Sequence, residues 1–190
     1  MADVVELDEA AKVNKRVALL IATLALCLAL SDLGGGNADN DAVEYNVQSA
    51  NLWAFYQAKT IRRTSTLLAA EEMETRVAEA SPASRAVMEK RVAEWRKNAE
   101  RYETEPETGE GRRELMAKAL EATKQRDTQK ARGDAFDVAT ALLQVSIVLA
   151  SAAIITGALM LAFLGGMLGA IATALMAATF LLPTFVIQFF

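Results

Sequence analysis

The C-terminal part of the chain carries no charged side chain: no Asp, Glu, Lys or Arg follows Asp137 as far as Phe190. A charge at the centre of a bilayer is costly, and about 20 consecutive apolar residues span its hydrocarbon core as a helix. Two segments fit this length, residues 134–157 and residues 158–182. Gly157 lies between them and predicts a tight turn, so the two segments are expected to form a hairpin of transmembrane helices.

A third apolar run lies near the N-terminus. It covers residues 17–33, about the shortest length that crosses a bilayer, and residues 1–16 before it are predicted to form a short polar helix. A cleaved signal peptide would also place basic residues before an apolar core, but this core is long and no clean small-x-small cleavage site follows it. We therefore expect a retained anchor. At the other end Pro183 ends the last span, and residues 183–190 form an apolar tail.

Residues 34–133, the insert between the first and second spans, hold most of the charge. They contain seventeen acidic and seventeen basic residues with the signs interleaved. A nucleic-acid site needs a basic face of one sign, so nucleic acid is not an expected partner. The interleaving is typical of a solvated helical surface.

Turn and capping residues divide the insert into helices. The glycine-rich segment Gly34–Asp41 is predicted to break the first helix or let it turn. Ser81 followed by Pro82 predicts a helix start, and residues 103–111 predict a turn before a third helix that starts at Arg112. The predicted fold is an all-α membrane protein with three transmembrane helices and a coiled-coil-like helical hairpin as the insert.

Small residues recur every four positions in the last span, in two adjacent rows. Lipid does not drive helices together by hydrophobicity, so close approach along small faces does so instead. One neighbour within the chain would need less small surface than two rows provide, so the pattern favours self-association over packing within one chain. The predicted oligomer interface comprises Gly165, Gly166, Gly169, Ala170, Thr173, Ala174 and Ala177.

Three carboxylates flank the insert, Asp32 at the end of the first span and Asp134 and Asp137 at the start of the second. They are therefore expected at the same bilayer face. Acidic residues suit the N-terminus of a helix, which favours a capping role for Asp134 and Asp137. Because acids at membrane depth often mark ion or proton paths, ion handling is the alternative.

Catalysis has little support in the residue types present. The chain has no histidine, which is the usual proton shuttle and the commonest metal ligand, and its single cysteine, Cys27, lies in an apolar run. The glycines at 34–36 lack the Gly-Lys-Ser/Thr of a phosphate-binding loop. We expect no enzyme, no cofactor and no metal site.

The stretch "NLWAFYQAKTIRR" brings aromatic and basic residues together on one predicted helix. Trp53, Tyr56 and Gln57 share a helical face because they are three and four positions apart. That face can pack against Trp95 and Tyr102 of the next helix, or it can be a contact surface for a partner. The predicted partner or packing surface comprises Trp53, Tyr56, Gln57, Lys59 and Arg62.

Four segments together resemble a known family. They are "KVNKRVALLIATLALCLAL", "NLWAFYQAKTIRR", "YETEPE" and "AFDVATALLQVSIVLASAAIIT", and they resemble uncharacterised bacterial membrane proteins catalogued as domain of unknown function 4337. The likeness extends from Lys12 to about Thr156. It implies a multi-pass protein of the bacterial inner membrane with a helical insert, and it carries no activity, so it assigns no catalytic residue.

The charges that flank the spans give opposite indications of orientation. Lys12, Lys15 and Arg16 precede the first span and favour a cytoplasmic N-terminus, whereas basic residues before the second span, such as Lys130 and Arg132, favour a cytoplasmic insert. Because the first span usually dominates and long loops cross largely regardless of charge, we expect an extracytoplasmic insert.

Both halves of the chain therefore offer interaction surfaces, and the leading hypothesis is a non-catalytic membrane scaffold or accessory subunit. Its expected partners are membrane lipid, further copies of the chain and a larger membrane complex. The rival hypothesis is a homo-oligomeric ion channel or pore, with the three acidic residues at one membrane face.

Overall fold

The computed structural model describes residues 2–182, with side chains from residue 12 onward, and this part of the chain is helices and short turns only. The predicted polar helix at the N-terminus is the beginning of a much longer helix. The predicted apolar tail, residues 183–190, lies outside the described residues. The helices are α1 (Ala2–Val77), α2 (Pro82–Glu103), α3 (Arg112–Thr156) and α4 (Leu159–Leu181).

The glycine-rich segment does not interrupt α1, so the predicted break at Gly34–Asp41 is wrong. The glycines serve helix packing instead. A Cβ atom on Gly34 would lie 2.8 Å from the Cζ atoms of both Phe136 and Phe180. Only a residue without a side chain lets these two rings approach the α1 backbone, as small residues do between membrane helices.

Three predicted helix ends are confirmed. Ser81 is the N-cap of α2, where its hydroxyl accepts a hydrogen bond from the Ser84 amide at 3.4 Å, and Pro82 follows as the first helical residue. The predicted turn after Glu103 separates α2 from α3. Gly157 separates α3 from α4 with a positive φ of 72°, a conformation that glycine adopts without steric cost.

The described chain divides into two compact units. The apolar unit contains the residues up to Ala42 and those from Asp127 onward, and the charged unit is Val43–Arg126. In the apolar unit, α1, α3 and α4 pack around two clusters of buried residues, and Cys27 of α1 packs against both. Helices α1, α3 and α4 are each long and apolar enough to cross a membrane. The two clusters contain Leu24, Phe136, Ala139, Leu143, Ala172 and Met176.

In the charged unit, α2 and the first turns of α3 run in succession along α1, antiparallel to it. Arg96 of α2 pairs with Glu74 at 2.7 Å, and near the other end Thr123 of α3 meets Ser49 at 2.8 Å. Residue numbers on α1 therefore fall as those on α2 and α3 rise. The turn between α2 and α3 lies beside the middle of this part of α1, where the aromatic and basic stretch is found.

Candidate functional site

Arg112, the first residue of α3, is bound to α1 by its guanidinium group. Its Nε donates to Thr60 Oγ1 at 2.8 Å and its NH2 donates to Tyr56 Oη at 2.9 Å. The guanidinium carbon also lies 5.0 Å from the centroid of the Tyr56 ring, a cation–π distance. NH1 donates to Glu103 Oε2 at 2.6 Å, which ties the end of α2 to the same group. These four residues are called the Arg112 cluster.

Glu103 receives further positive charge. Arg63 Nε lies 3.1 Å from its carboxylate and Arg113 Nε lies 3.3 Å from it. Burial by itself would raise the pKa of Glu103, but the hydrogen bond and charge of Arg112, with these neighbours, outweigh it and lower the pKa. Burial likewise opposes the charge of Arg112, but its bonds to Tyr56 and Glu103 raise the Arg112 pKa. Both groups are therefore held in their charged forms.

Lys59 fixes the turn that follows α2. Its ammonium lies 3.6 Å from Glu105 and 3.8 Å from Glu110, with 12% of the side chain exposed. The same ammonium lies 5.7 Å from the centroid of the Tyr102 ring. A hydrogen bond from Arg101 lowers the pKa of Glu105 against the opposing effect of its burial, and the Lys59 charge adds to this. The turn is thus bound to α1 through Lys59, whose pair with Glu105 is largely buried, whereas Glu110 is exposed.

The five residues of the predicted aromatic and basic surface do not form one surface: some are packed against neighbouring residues and others are exposed. Trp53 packs edge-on against Tyr56 with ring centroids 5.5 Å apart, and Tyr56 and Lys59 bind the turn and its flanking helix ends. Gln57 and Arg62 are exposed. The inward side of the stretch is therefore a packing surface, and the outward side is open.

Trp95 is not part of that packing surface. It lies beside Ala69, Met73 and Arg76, about four to six turns further along α1 than Trp53. The predicted contact between the Trp53 face and Trp95 is therefore wrong, whereas Tyr102 does lie near the stretch, over Lys59.

Two members of the predicted oligomer interface are buried inside the apolar unit. A Cβ atom on Gly165 would lie 2.8 Å from the Ser146 carbonyl oxygen of α3. One on Gly169 would collide with the side chain of Leu24 of α1. These two glycines bring α4 close to α3 and α1 of the same chain. For Gly165 and Gly169, therefore, the alternative of packing within one chain is correct, and self-association is not.

The other five members line an open groove between α1 and α4, with a volume of about 480 Å³. Ala170 and Ala174 are exposed on it. The Thr173 hydroxyl donates to the Gly169 carbonyl at 2.8 Å, so the groove presents its methyl group rather than a free donor. Gly169 also lines the groove, at the point where it meets Leu24. The α4 side comprises Gly166, Gly169, Ala170, Thr173, Ala174 and Ala177, and Leu20, Thr23, Leu24 and Cys27 lie on the α1 side.

The three carboxylates Asp32, Asp134 and Asp137 are exposed in the apolar unit. They lie near the end where Phe136 meets the glycines of α1. Asp32 accepts a hydrogen bond from Thr140 Oγ1 at 3.2 Å, which joins α1 to α3.

The predicted capping role of Asp134 and Asp137 is wrong. Helix α3 begins at Arg112 and continues through both residues, so the peptide N–H groups near them are already bonded within the helix. Ion handling by the three carboxylates stays a prediction.

The Arg112 cluster and the Gly34 contact were not predicted from the sequence. Arg112 and Arg113 are adjacent, both follow a glycine-containing turn, and no spacing separates the half-buried Arg112 from the exposed Arg113. The sequence offers one signal: Tyr56 lies three positions before Lys59, so a hydroxyl and an ammonium group share one face of α1 and can bind a neighbouring helix there.

The fold and its surfaces define a class: an all-helical protein with three helices able to cross a membrane and a charged helical unit. Within that class, the chain belongs to the family described as Domain of unknown function (DUF4337), which matches residues 13–182. No curated protein and no solved structure matches the chain.

Proposed function

We propose that the protein is a non-catalytic integral membrane scaffold or accessory subunit that self-associates through its transmembrane helices. The observation that carries this proposal is the open groove between α1 and α4, whose α4 side consists of small residues. Helices in lipid associate where small side chains let backbones approach, so this groove suits a helix of a second copy better than it suits lipid chains alone.

The rest of the surface of α4 has a different character. Phe163, Met167 and Ile171 are large, apolar and exposed, as lipid-facing residues of a membrane helix are. A partner helix is therefore proposed on the small-residue side, while lipid covers the side with the large residues. The proposed interface is narrower than the sequence indicated, because Gly165 and Gly169 are occupied within the chain.

Bulky substitutions in the groove test self-association. Ala170→Leu with Ala174→Leu is expected to fill the groove and shift the detergent-extracted protein to a smaller assembly in native mass measurements. Ala141→Leu is the matched control, since Ala141 is an exposed alanine of α3 outside the groove, and the assembly is expected to persist. A wild-type protein that is extracted as a monomer contradicts the proposal.

The proposed location is the bacterial inner membrane, with the charged unit outside the bilayer as a helical hairpin on the extracytoplasmic side. The uncharged spans and the interleaved charges of Val43–Arg126 support a division between lipid and water. External protease added to spheroplasts is expected to cut within the charged unit. Resistance of that unit in intact spheroplasts, with cleavage after lysis, would reverse the orientation.

The second candidate is a homo-oligomeric ion channel. The observation in its favour is that Asp32, Asp134 and Asp137 are all exposed near one end of the apolar unit, where several copies would form an acidic ring. Planar-bilayer recording separates the candidates. A cation current that Asp137→Asn abolishes would replace the scaffold proposal with the channel.

A further inference from the structure

In the charged unit, α1 has a second apolar face that α2 and α3 do not cover. The covered face includes the buried residues Ser49 and Ala70. On the side turned away from them, Val47, Ile61 and Leu68 have 55%, 66% and 60% of their surface exposed. Apolar side chains that form a continuous row on an exposed face are typical of an interaction site, whereas scattered ones are normal on any surface, so the spacing of these residues decides between the two.

The spacing on this face is that of a coiled coil. Val47, Ala54, Ile61 and Leu68 are each seven positions apart and all are exposed. A second row lies four positions before each of them and contains Val43, Ala50, Gln57 and Thr64, also all exposed. Together these rows, called the α1 stripe, have the alternating three- and four-residue spacing of the core positions of a heptad repeat. A straight helix drifts by about 20° per heptad from such a repeat, which a left-handed supercoil compensates.

The charge of the residues that flank the α1 stripe indicates what kind of helix can pack against it. In most coiled coils, charged residues beside the core choose an oppositely charged partner helix. Here the corresponding exposed positions are Glu44, Asn46, Asn51, Ala58 and Ser65, and of these Glu44, in the first heptad, carries the single charge. From Asn46 onward two identical stripes can therefore meet with no like charges opposed, although the rest of the charged unit is rich in charge.

We propose that the α1 stripe is the seam of a parallel coiled coil between two copies of this chain. The parallel direction rests on the proposed function: copies inserted in one membrane with the same topology have α1 helices that point the same way. Counted back along the sequence, the same seven-residue frame includes Leu33, Leu26 and Leu19, each exposed in the apolar unit. A polar Asn40 stands in that frame as well, and a polar residue at a core position specifies register in parallel pairs.

Lipid is a poorer occupant of this surface than a second helix. The α1 stripe includes Gln57 and Thr64, and its helix carries Lys59, Arg62 and Arg63 on adjoining sides. A hydrocarbon environment would have to desolvate those charges, whereas a helix that covers only the stripe leaves them in water.

Disulfide trapping in native membranes tests the seam. In a Cys27→Ser background, Ala54→Cys places one thiol in the α1 stripe, and Ala93→Cys places one at an exposed alanine of α2. Identical residues at several positions along a seam face each other only in a parallel, in-register pair, and a disulfide requires Cα atoms within about 7 Å. Oxidation is expected to yield several-fold more covalent dimer from Ala54→Cys than from the control.

The periodicity provides a second measurement. Single cysteines at positions 47, 50, 54 and 61 are expected to give dimer, whereas position 55, which is exposed but lies beside the stripe, is expected to give several-fold less. Equal yields at positions 54, 55 and 93, or a trapped product with a different protein, would overturn the proposal. A detergent-extracted monomer with strong trapping at position 54 would contradict self-association through the spans and leave the α1 stripe supported, so the two failures are distinguishable.

Discussion

At the scale of single residues, Arg112 joins the helices of the charged unit through more contacts than any pattern in the sequence indicated. Its three donor atoms bind three different groups on α1 and α2, and 19% of its side chain is exposed. Hydrogen bonds that involve a charged group are roughly twice as strong as neutral ones. The planar guanidinium can hold Thr60, Tyr56 and Glu103 at once, which a lysine ammonium on a flexible chain cannot do in the same geometry.

We predict that Arg112→Ala destabilises the turn at residues 104–111. Loss of the guanidinium leaves Glu103 and the Tyr56 hydroxyl with fewer partners, at a cost of about 1–3 kcal/mol. Amide hydrogen exchange in this turn is expected to accelerate in the detergent-solubilised full chain. Arg113→Ala is the matched control, because Arg113 is 71% exposed, and unchanged exchange is expected for it. Equal effects of the two substitutions would contradict the role assigned to Arg112.

The lowered pKa of Glu103 predicts a pH dependence with a definite sign. A carboxylate whose folded pKa lies below its ordinary value of 4.5 contributes stability above that pH, and the contribution is lost as the pH falls through the folded pKa. As the pH falls below 4.5 and through the lowered pKa of Glu103, the turn is therefore expected to lose stability in the wild type. Glu103→Gln is expected to be less stable at neutral pH, and to show a smaller further loss on acidification. A variant with the same acid sensitivity as the wild type would show that other carboxylates govern the transition.

At the scale of the element, α1 contains three consecutive glycines without interruption. Each glycine in a helix interior costs about 1 kcal/mol relative to alanine. The three positions differ in what an added Cβ atom would meet. On Gly34 it would meet two phenylalanine rings, on Gly35 it would lie 3.3 Å from the Phe136 Cβ, and on Gly36 it would meet nothing within 4 Å. Two of the three are thus used for close packing, and Phe136 and Phe180 also contact each other with centroids 4.8 Å apart.

Replacement of a glycine by alanine is predicted to have opposite effects on stability at Gly34 and Gly36. Gly34→Ala forces its new Cβ against two rings and is expected to destabilise the apolar unit by about 1–3 kcal/mol. Gly36→Ala meets nothing and is expected to be neutral or stabilising by up to about 1 kcal/mol, because it removes only the glycine penalty. Thermal unfolding in detergent measures both. Destabilisation of similar size at the two positions would mean that helix propensity, rather than packing, decides their cost.

At the scale of the whole molecule, the chain is two units with different means of stabilisation. The apolar unit is packed by glycines and by buried apolar side chains, and its helices make few polar contacts with one another. The charged unit also buries apolar residues, among them Val92, Ala99 and Leu115, and it adds ion pairs and hydrogen bonds around the turn at residues 104–111. We expect substitutions in the glycine packing of one unit to leave the ion pairs of the other intact.

The pair Gly165→Leu with Gly169→Leu tests this division. Both leucines would collide with neighbours inside the apolar unit, so we predict faster amide exchange in α4 and in the apolar part of α3. The charged unit, Val43–Arg126, is expected to keep its helices and its protection, because the ion pairs and hydrogen bonds described for it join α1, α2 and α3. Loss of protection in both units to the same extent would show that they unfold as one cooperative body.

The sequence alone determined the features that depend on local composition and local backbone geometry. Runs without charge predicted three helices able to cross a membrane, Ser81 and Pro82 predicted the start of α2, and Gly157 predicted the turn before α4. Each of these follows from how a short segment partitions into lipid or from which φ and ψ angles its residues allow. The family, too, was recognised from short segments of the chain.

Only the tertiary structure decided what the small and charged residues contact. A glycine breaks a helix or packs it according to what lies opposite, and the residues opposite Gly34 are Phe136 and Phe180, more than a hundred positions away. In the same way Gly165 and Gly169 were assigned to a partner because the sequence cannot show that Ser146 and Leu24 already occupy their faces. The seven-residue spacing of the α1 stripe is visible in the sequence. Its exposure is not, because it depends on which face of α1 is covered by α2 and α3.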